Sequence, residues 1–185
     1  MQPSDADHTK PSDTTTLNRP DTPGPHHAEL REPAVADGPA MWRIARDSRD
    51  LDLNSHYAYM LWARDFAATS VIAAVDGNPA GFLTAYVRPD EPTTLMVWQV
   101  AVDAAYRGRR LAARMLEHAV GAAPRCTHLE TTITADNAAS IALFTSFARA
   151  RGARVDRTPL FTEETLGGDH ATEHLFRIGP VAPAT

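Results

Sequence analysis

No disulfide can form within this chain, because Cys126 is its only cysteine, and a lone thiol fits a reducing compartment. Positive charge is also short. The 18 Lys and Arg face 23 Asp and Glu, for a net charge of −5, which argues against a general nucleic-acid binder and its basic footprint. No uninterrupted apolar run approaches the roughly 20 residues needed to cross a bilayer. The first residues lack the basic-then-apolar pattern of a secretory signal. There is no G-x-G-x-x-G fingerprint and no Walker lysine, so dinucleotide and P-loop sites of those kinds are excluded. The expectation is a cytoplasmic protein with no nucleic-acid or membrane partner.

The first forty residues hold many of the chain's prolines and almost no large apolar side chains. Such a segment cannot bury enough surface to offset the entropy of ordering it, so residues 1–40 are expected to form a disordered tail. His26 and His27 have no further ligands beside them there, and no metal site is expected. The folded domain is expected over 41–180, one domain's length with a real core, followed by a short tail at 181–185.

Along that domain, Leu53, Tyr57, Met60 and Leu61 fall at i, i+4, i+7 and i+8, the spacing of a helix's buried stripe. "SVIAAVDGNPAGFLTAYV" reads as two strands about an Asp-Gly turn, a hairpin signal. Pro89 and Pro92 punctuate a loop before "TTLMVWQVAV", a long, mostly apolar interior strand. Leu111, Met115, Leu116, Ala119 and Val120 repeat at helical spacing. "HLETTIT" is a further strand, "DNAASIALFTSFARARGA" a helix closed by Gly152, and "TEHLFRI" a last strand. Strands alternating with helices after a hairpin give an α/β fold, a mixed central β-sheet flanked by helices.

The run "WQVAVDAAYRGRRLAARML" (98–116) carries the first chemical signal. An apolar strand stops at Asp103, and Arg107, Gly108, Arg109 and Arg110 crowd the mouth of the next helix. Helix openings expose unpaired N–H groups and positive partial charge, so cations there cost stability unless something anionic joins them. Strand, basic turn and helix N-terminus together make an anion site, and the small Ala112 and Ala113 let a ligand approach the backbone. A pyrophosphate is the ligand that this arrangement favours.

The same residues resemble the acyl-CoA motif of the GCN5-related N-acetyltransferases, and "NAASIALF" resembles that family's helix beside the thioester. The resemblance implies the GCN5-related N-acetyltransferase fold and acetyl-CoA as co-substrate. It places acetyl-CoA on Val100, Ala101, Val102, Arg107, Gly108, Arg109, Arg110, Leu111, Ala112, Asn137, Ser140 and Phe144. Two positions depart from the family pattern. Arg110 stands where a second glycine is usual; at positive φ it would cost about 1 kcal/mol, whereas in a helical conformation it would cost little. Phe144 stands where many members carry a tyrosine that protonates the thiolate, so any acid must be another group or water.

An alkyl ammonium acceptor, with a reference pKa of about 10, needs carboxylates or aromatic faces to bind it and a base to deprotonate it. "LDLNSHYAY", Trp98 with Gln99, and "GGDHATEHLFRI" can supply these groups, although capping, core packing and a solvated loop would each account for the same residues. Together with "RDSRDLDLNSHYAYMLWARDFAATSV", "GFLTAYVRPDEPTTLMVWQVAVD", "TTITADNAASIALFTSFAR" and "PLFTEETLGGDHATEHLFRIGP", these stretches resemble the L-2,4-diaminobutyrate acetyltransferases of ectoine synthesis. That resemblance spans nearly all of 41–180. It implies direct transfer in a ternary complex of acetyl-CoA with L-2,4-diaminobutyrate, acetylation at the γ-amine, and a homodimer. Asp52, Asn54, Ser55 and Tyr57 would bind the acceptor, together with Trp98, His170 and Glu173. Trp98, His170 and Glu173 would also serve catalysis, with Glu173 the base; Glu163 and Glu164 stand as alternative bases. Cys126, at the start of a strand away from the thioester motif, is not the expected nucleophile. Two other readings stay open: an N-acetyltransferase for another small diamine or polyamine, and a non-catalytic acyl-CoA-binding module.

Overall fold

The computed structural model describes residues 28–49 and 51–181. His26, His27 and most of the expected N-terminal tail lie outside these residues, as do 182–185. Among the described residues, seven strands form a single sheet in the order β1-β2-β3-β4-β5-β7-β6. They are β1 Ala28–Arg31, β2 Val71–Val75, β3 Asn78–Val87, β4 Thr94–Val102, β5 His128–Thr134, β6 Arg154–Phe161 and β7 Glu173–Gly179. Only β4 and β5 run parallel; the other neighbours are antiparallel. Helices α1 (Gly38–Ser48) and α2 (His56–Asp65) cover one face, and α3 (Leu111–Ala122) and α4 (Ala138–Ala150) cover the other.

The domain begins earlier than composition implied. Ala28–Arg31 pair with β2 from Ala28↔Val75 to Arg31↔Ile72, so the expected start near Met41 is corrected. Specific polar links secure this segment where hydrophobicity alone would not. Arg114 Nη2 on α3 donates to the Ala28 carbonyl at 2.8 Å. Arg31 forks onto Asp37 at 2.7 and 2.8 Å, and Asp37 Oδ2 also accepts from the Ala34 N–H at 2.7 Å. Helix α1 follows, opened by Gly38-Pro39; proline suits a first helical turn because the missing N–H would have no partner there. At the other end Val181 packs into the main core at 3 % exposure.

Helix α2 forms where expected but with a different face inward. Tyr59 and Ala63 are buried, while Leu53 precedes the helix, and Tyr57 and Met60 are 67 % and 37 % exposed. The helix is apolar on most of its circumference, so its period is readable and its phase is not. Strand β6 is a further addition: Arg154, Asp156, Arg157 and Pro159 disfavour an interior strand, but at a sheet edge they are tolerated and discourage pairing with another chain. The expected hairpin is present, with Asp76 at φ 51° and Gly77 at φ 76° between β2 and β3, as a primed turn requires.

The main core gathers Leu83, Leu95, Met115, Leu116, Leu129, Phe144 and Ile178, each no more than 1 % exposed. Full burial of each such side chain contributes about 1.5–3 kcal/mol. This core holds the middle of the sheet rigid while one seam opens. The β4–β5 pairing runs only from Thr94↔His128 to Val97↔Thr131, although both strands continue. At that point β4 carries an extra residue: Thr84 pairs with Gln99 and Ala85 with Val97, leaving Trp98 without a partner on β3. Such a bulge bends its strand and raises its local twist, and beyond Trp98 the two parallel strands part.

Candidate active site

The parted strands leave a gap of about 390 Å³ through the sheet, walled by Val97–Val100 on β4 and Thr131–Thr134 on β5. Peptide groups alternate in direction along an antiparallel pair. The N–H of Asp103 and that of Gln99 point toward β3, to the Ala80 carbonyl and to Thr84 Oγ1. The N–H groups of Val100 and Val102 therefore face the open side, and the Val102 carbonyl there accepts from Arg107 Nε at 3.4 Å.

A groove of about 260 Å³ continues from the gap along Val100, Ala101, Val102, Arg107, Ala112 and Ser140. Its far end is the basic turn. Gly108 has φ 78° and Arg110 φ 57°, so the chain winds left-handed twice before α3 begins at Leu111. The Arg110 carbonyl accepts from Arg114 N–H at 3.0 Å, while the N–H groups of the first helical turn have no partner within the helix. Arg109 lies 5.3 Å over the Tyr106 ring. Arg109 and Arg110 line a larger cleft between α3 and α4. Of the positions expected to hold acetyl-CoA, Leu111 is placed elsewhere: it is 2 % exposed in a small cluster with Ala28, Val75 and Ala80. The Ala101 side chain is likewise buried, toward α1, so it offers only its main chain. Asn137 caps α4, accepting from Ser140 N–H at 3.0 Å, and Ser140 and Phe144 line the gap from the next turns.

Three elements converge on the opposite end of the gap. Asp52 comes from the α1–α2 connection, Trp98 from the bulge, His170 from the loop before β7 and Glu173 from the first residue of β7. His170 Nε2 lies 3.0 Å from Asp52 Oδ2 and 3.9 Å from Glu173 Oε1, and its Nδ1 lies 2.8 Å from the Ala171 carbonyl. With both ring nitrogens facing oxygen acceptors, the imidazolium is favoured. The Ala171 carbonyl, and after it Asp52, push the His170 pKa up. Burial pushes the Glu173 carboxyl up, partly offset by the Thr132 hydroxyl and by His170. Glu173 Oε2 is buried without a hydrogen-bond partner. An orphaned acceptor is costly, and a hydrogen-bond donor entering the gap would satisfy it. Trp98 stacks on Trp62 of α2 with ring centroids 4.7 Å apart.

The other acceptor-site expectations divide. Asn54 lines the gap, and its Nδ2 donates to the Asp52 carbonyl at 3.2 Å. Ser55 and Tyr57 do not line it. Ser55 Oγ accepts from Ala58 N–H at 3.2 Å and caps α2, and Tyr57 faces outward because the helix turns Tyr59 inward. Glu163 and Glu164 are exposed in the loop before β7, and neither lines the gap. Cys126 is buried in the main core, where burial pushes its thiol up. Gln99, which follows Trp98 on β4, also lines the gap. It is buried and joins the Tyr59 hydroxyl to the Asp52 carbonyl, which a strand's apolar pattern does not announce. Among the described residues, no group of three or more His, Cys, Asp or Glu could hold a metal ion, and no helix is long and apolar enough to cross a membrane.

Known proteins are similar to this chain in sequence and in fold. Residues 37–148 match the model of the Acetyltransferase (GNAT) family. The L-2,4-diaminobutyric acid acetyltransferase of Streptomyces coelicolor is 56 % identical over 159 residues, covering 83 % of this chain and 94 % of the relative. That of Halomonas elongata is 40 % identical over 155 residues, covering 82 % and 80 %. The diaminobutyrate acetyltransferase EctA of Paenibacillus lautus, solved with L-2,4-diaminobutyric acid and coenzyme A, superposes with a TM-score of 0.82 at 35 % identity, covering 87 % of this chain and 99 % of its own. With its splayed β4–β5 seam, basic turn and relatives matched along most of their length, the chain belongs to the GNAT acetyltransferases and, within them, to the L-2,4-diaminobutyric acid acetyltransferases.

Proposed function

We propose that this protein moves the acetyl group of acetyl-CoA onto the γ-amino group of L-2,4-diaminobutyrate, giving N4-acetyl-L-2,4-diaminobutyrate for ectoine synthesis. The observation that carries the reading is the gap: an open main-chain edge at Val100 on one side, and Asp52, Trp98, His170 and Glu173 gathered on the other. Acetyl-CoA supplies an activated thioester. The N–H groups of the first α3 turn, with Arg107, Arg109 and Arg110, suit its pyrophosphate. The Val100 N–H suits the thioester carbonyl oxygen, where negative charge develops.

Asp52 keeps acceptor capacity beyond its bond to His170, because its side chain is 79 % exposed. It holds the acceptor's α-ammonium, while Trp98 walls the pocket. Glu173 takes the γ-ammonium proton onto its carboxylate; its upward-shifted pKa brings it closer to neutral pH, where a general base works best. The freed amine then attacks the thioester carbon, forming the C–N bond as the C–S bond breaks. Phe144 has no proton to give, so Ser140, one turn earlier on α4 and facing both gap and groove, relays to the departing sulfur the second proton, which the nitrogen sheds as it becomes an amide, and ends as the neutral hydroxyl. Holding both reactants in one complex can by itself remove several kcal/mol of barrier. A homodimer, which rests on the resemblance, and a cytoplasmic location, which rests on the lone cysteine, complete the proposal.

The test is thiol release from acetyl-CoA with L-2,4-diaminobutyrate against ornithine, lysine and spermidine, with the product position read by NMR. Preference for diaminobutyrate with γ-acetylation is the expected result. Comparable rates with every amine would reduce the activity to a general amine acetyltransferase, and no turnover with any would overturn it.

A further inference from the structure

Tyr59 and Gln99 form a buried polar pair with no part in the chemistry above. Tyr59 is 0 % exposed and Gln99 5 %. The Tyr59 hydroxyl donates to Gln99 Oε1 at 3.1 Å, and Gln99 Nε2 donates to the Asp52 carbonyl at 2.9 Å. Burying a phenol and an amide is unfavourable unless their polar atoms are paired, and apolar residues of the same shape would be nearly neutral or stabilising. Stability therefore gives little reason for this pair. What distinguishes it from an apolar pair is where it ends, on the main chain of a connecting segment and not on another core group.

Within that segment Leu51 packs against the layer of α1, α2 and the sheet, and Asn54 also hydrogen-bonds the Tyr59 hydroxyl. Leu53 is 47 % exposed, and the largely exposed Asp52 carboxylate bonds to His170. The Asp52 carbonyl, by contrast, collects two amides, Gln99 from β4 and Asn54 from its own connection. We infer that Gln99, braced by Tyr59, is a positioning residue for acetyl transfer: it clamps the Asp52 peptide so that the Asp52 carboxylate is presented to His170 and to the acceptor's ammonium. This rests on the acceptor-binding role proposed for Asp52. The clamp ties the acceptor pocket to the hydrophobic layer between α2 and the sheet, where Tyr59 packs edge-on against Phe82 at 5.9 Å.

The full-length protein carrying Gln99→Met, which keeps the shape and removes both bonds of the amide, is compared with Tyr59→Phe, which removes the brace together with the hydroxyl's contact to Asn54. Gln99→Met is expected to lower kcat/KM for diaminobutyrate about tenfold, the equivalent of one hydrogen bond of roughly 1.4 kcal/mol, through KM, with the acetyl-CoA KM unchanged within twofold. Tyr59→Phe is expected to act in the same direction by about threefold, since a braced amide loses only part of its hold. It keeps the aromatic ring in the core and serves should Gln99→Met fold poorly. The decisive measurement is the same substitution in an Asp52→Ala background, where Gln99→Met, or Tyr59→Phe in its place, is expected to have no further effect. An equal loss in both backgrounds, or a parallel rise in the acetyl-CoA KM, would overturn the positioning role. Failure of Asp52→Ala itself to impair diaminobutyrate turnover would instead overturn the reading of Asp52.

Discussion

Replacing Arg110 with glycine is expected to stabilise the protein while weakening its hold on acetyl-CoA. Arg110 sits at φ 57°, ψ 24°, immediately before α3. A left-handed conformation costs a side-chain-bearing residue roughly 1–2 kcal/mol. Glycine returns about 0.5–1 kcal/mol of that, because it loses more backbone freedom on folding. A cation against the positive end of a helix adds about 0.3–1 kcal/mol to the cost of arginine. The balance favours Arg110→Gly by about 1 kcal/mol, which for a domain of this size raises the melting temperature by about 2–4 °C. The same change removes one of the charges proposed to face the pyrophosphate, so the acetyl-CoA KM is expected to rise severalfold and to become less sensitive to salt. Thermal unfolding without ligand and acetyl-CoA saturation curves at two ionic strengths read the two effects separately. A lower melting temperature would refute the strain argument, and an unchanged KM would remove Arg110 from the phosphate site.

Glu173→Gln is expected to lower kcat by about 10²–10⁴, the usual contribution of a positioned base. It should not lower the melting temperature, because it removes a carboxylate that burial already disfavours; activity within fivefold of the parent protein at neutral pH would exclude Glu173 as the base. His170 has a folded pKa raised above 6.5, so its contribution to stability is fully present below about 6.5 and lost as pH rises through the raised value. The melting-temperature deficit of His170→Gln should therefore shrink as pH climbs, and a deficit independent of pH would contradict the imidazolium assignment. Cys126→Ser is expected to leave kcat within twofold while costing about 1–3 kcal/mol, from a polar group placed in an apolar site; loss of activity in a folded variant would reopen the thiol as a participant.

The elements read most directly from the sequence are those whose local chemistry is strong. The Asp76-Gly77 turn, the apolar β4 and the α4 helix between Asn137 and Gly152 each carry their own signal, and each stands where that signal placed it. Strand β6 carries charges and a proline that only an edge position accommodates, and edge position is a property of the whole sheet. Helix α1 was obscured because its Gly38-Pro39 opening reads as loop when nothing shows the helix behind it. The same limit applied to the site. The basic turn and Asn137–Phe144 are local and were legible, whereas His170 meets Asp52 across 118 residues of chain. No spacing encodes that contact. Resemblance to a family supplied it, and for Ser55 and Tyr57 the same resemblance pointed to residues that the fold turns to capping and to solvent.

The extra residue in β4 has one more consequence, in which side chain goes where. A regular strand sends neighbours to opposite faces, so it could give α2 either an indole or an amide at this point, but not both. Because Trp98 has no partner on β3, Trp98 and Gln99 both reach the α2 side, one stacking on Trp62 and the other bonding to Tyr59. Alternation then resumes, and Val100 and Val102 pack toward α3 and α4 as an unbroken strand would place them. Removing residue 98 altogether would thus keep Gln99 and Val100 facing as they do now, while closing the β3–β4 ladder and straightening the strand. A chain one residue shorter would keep its hydrophobic pattern and lose the opening in which its two substrates are proposed to meet.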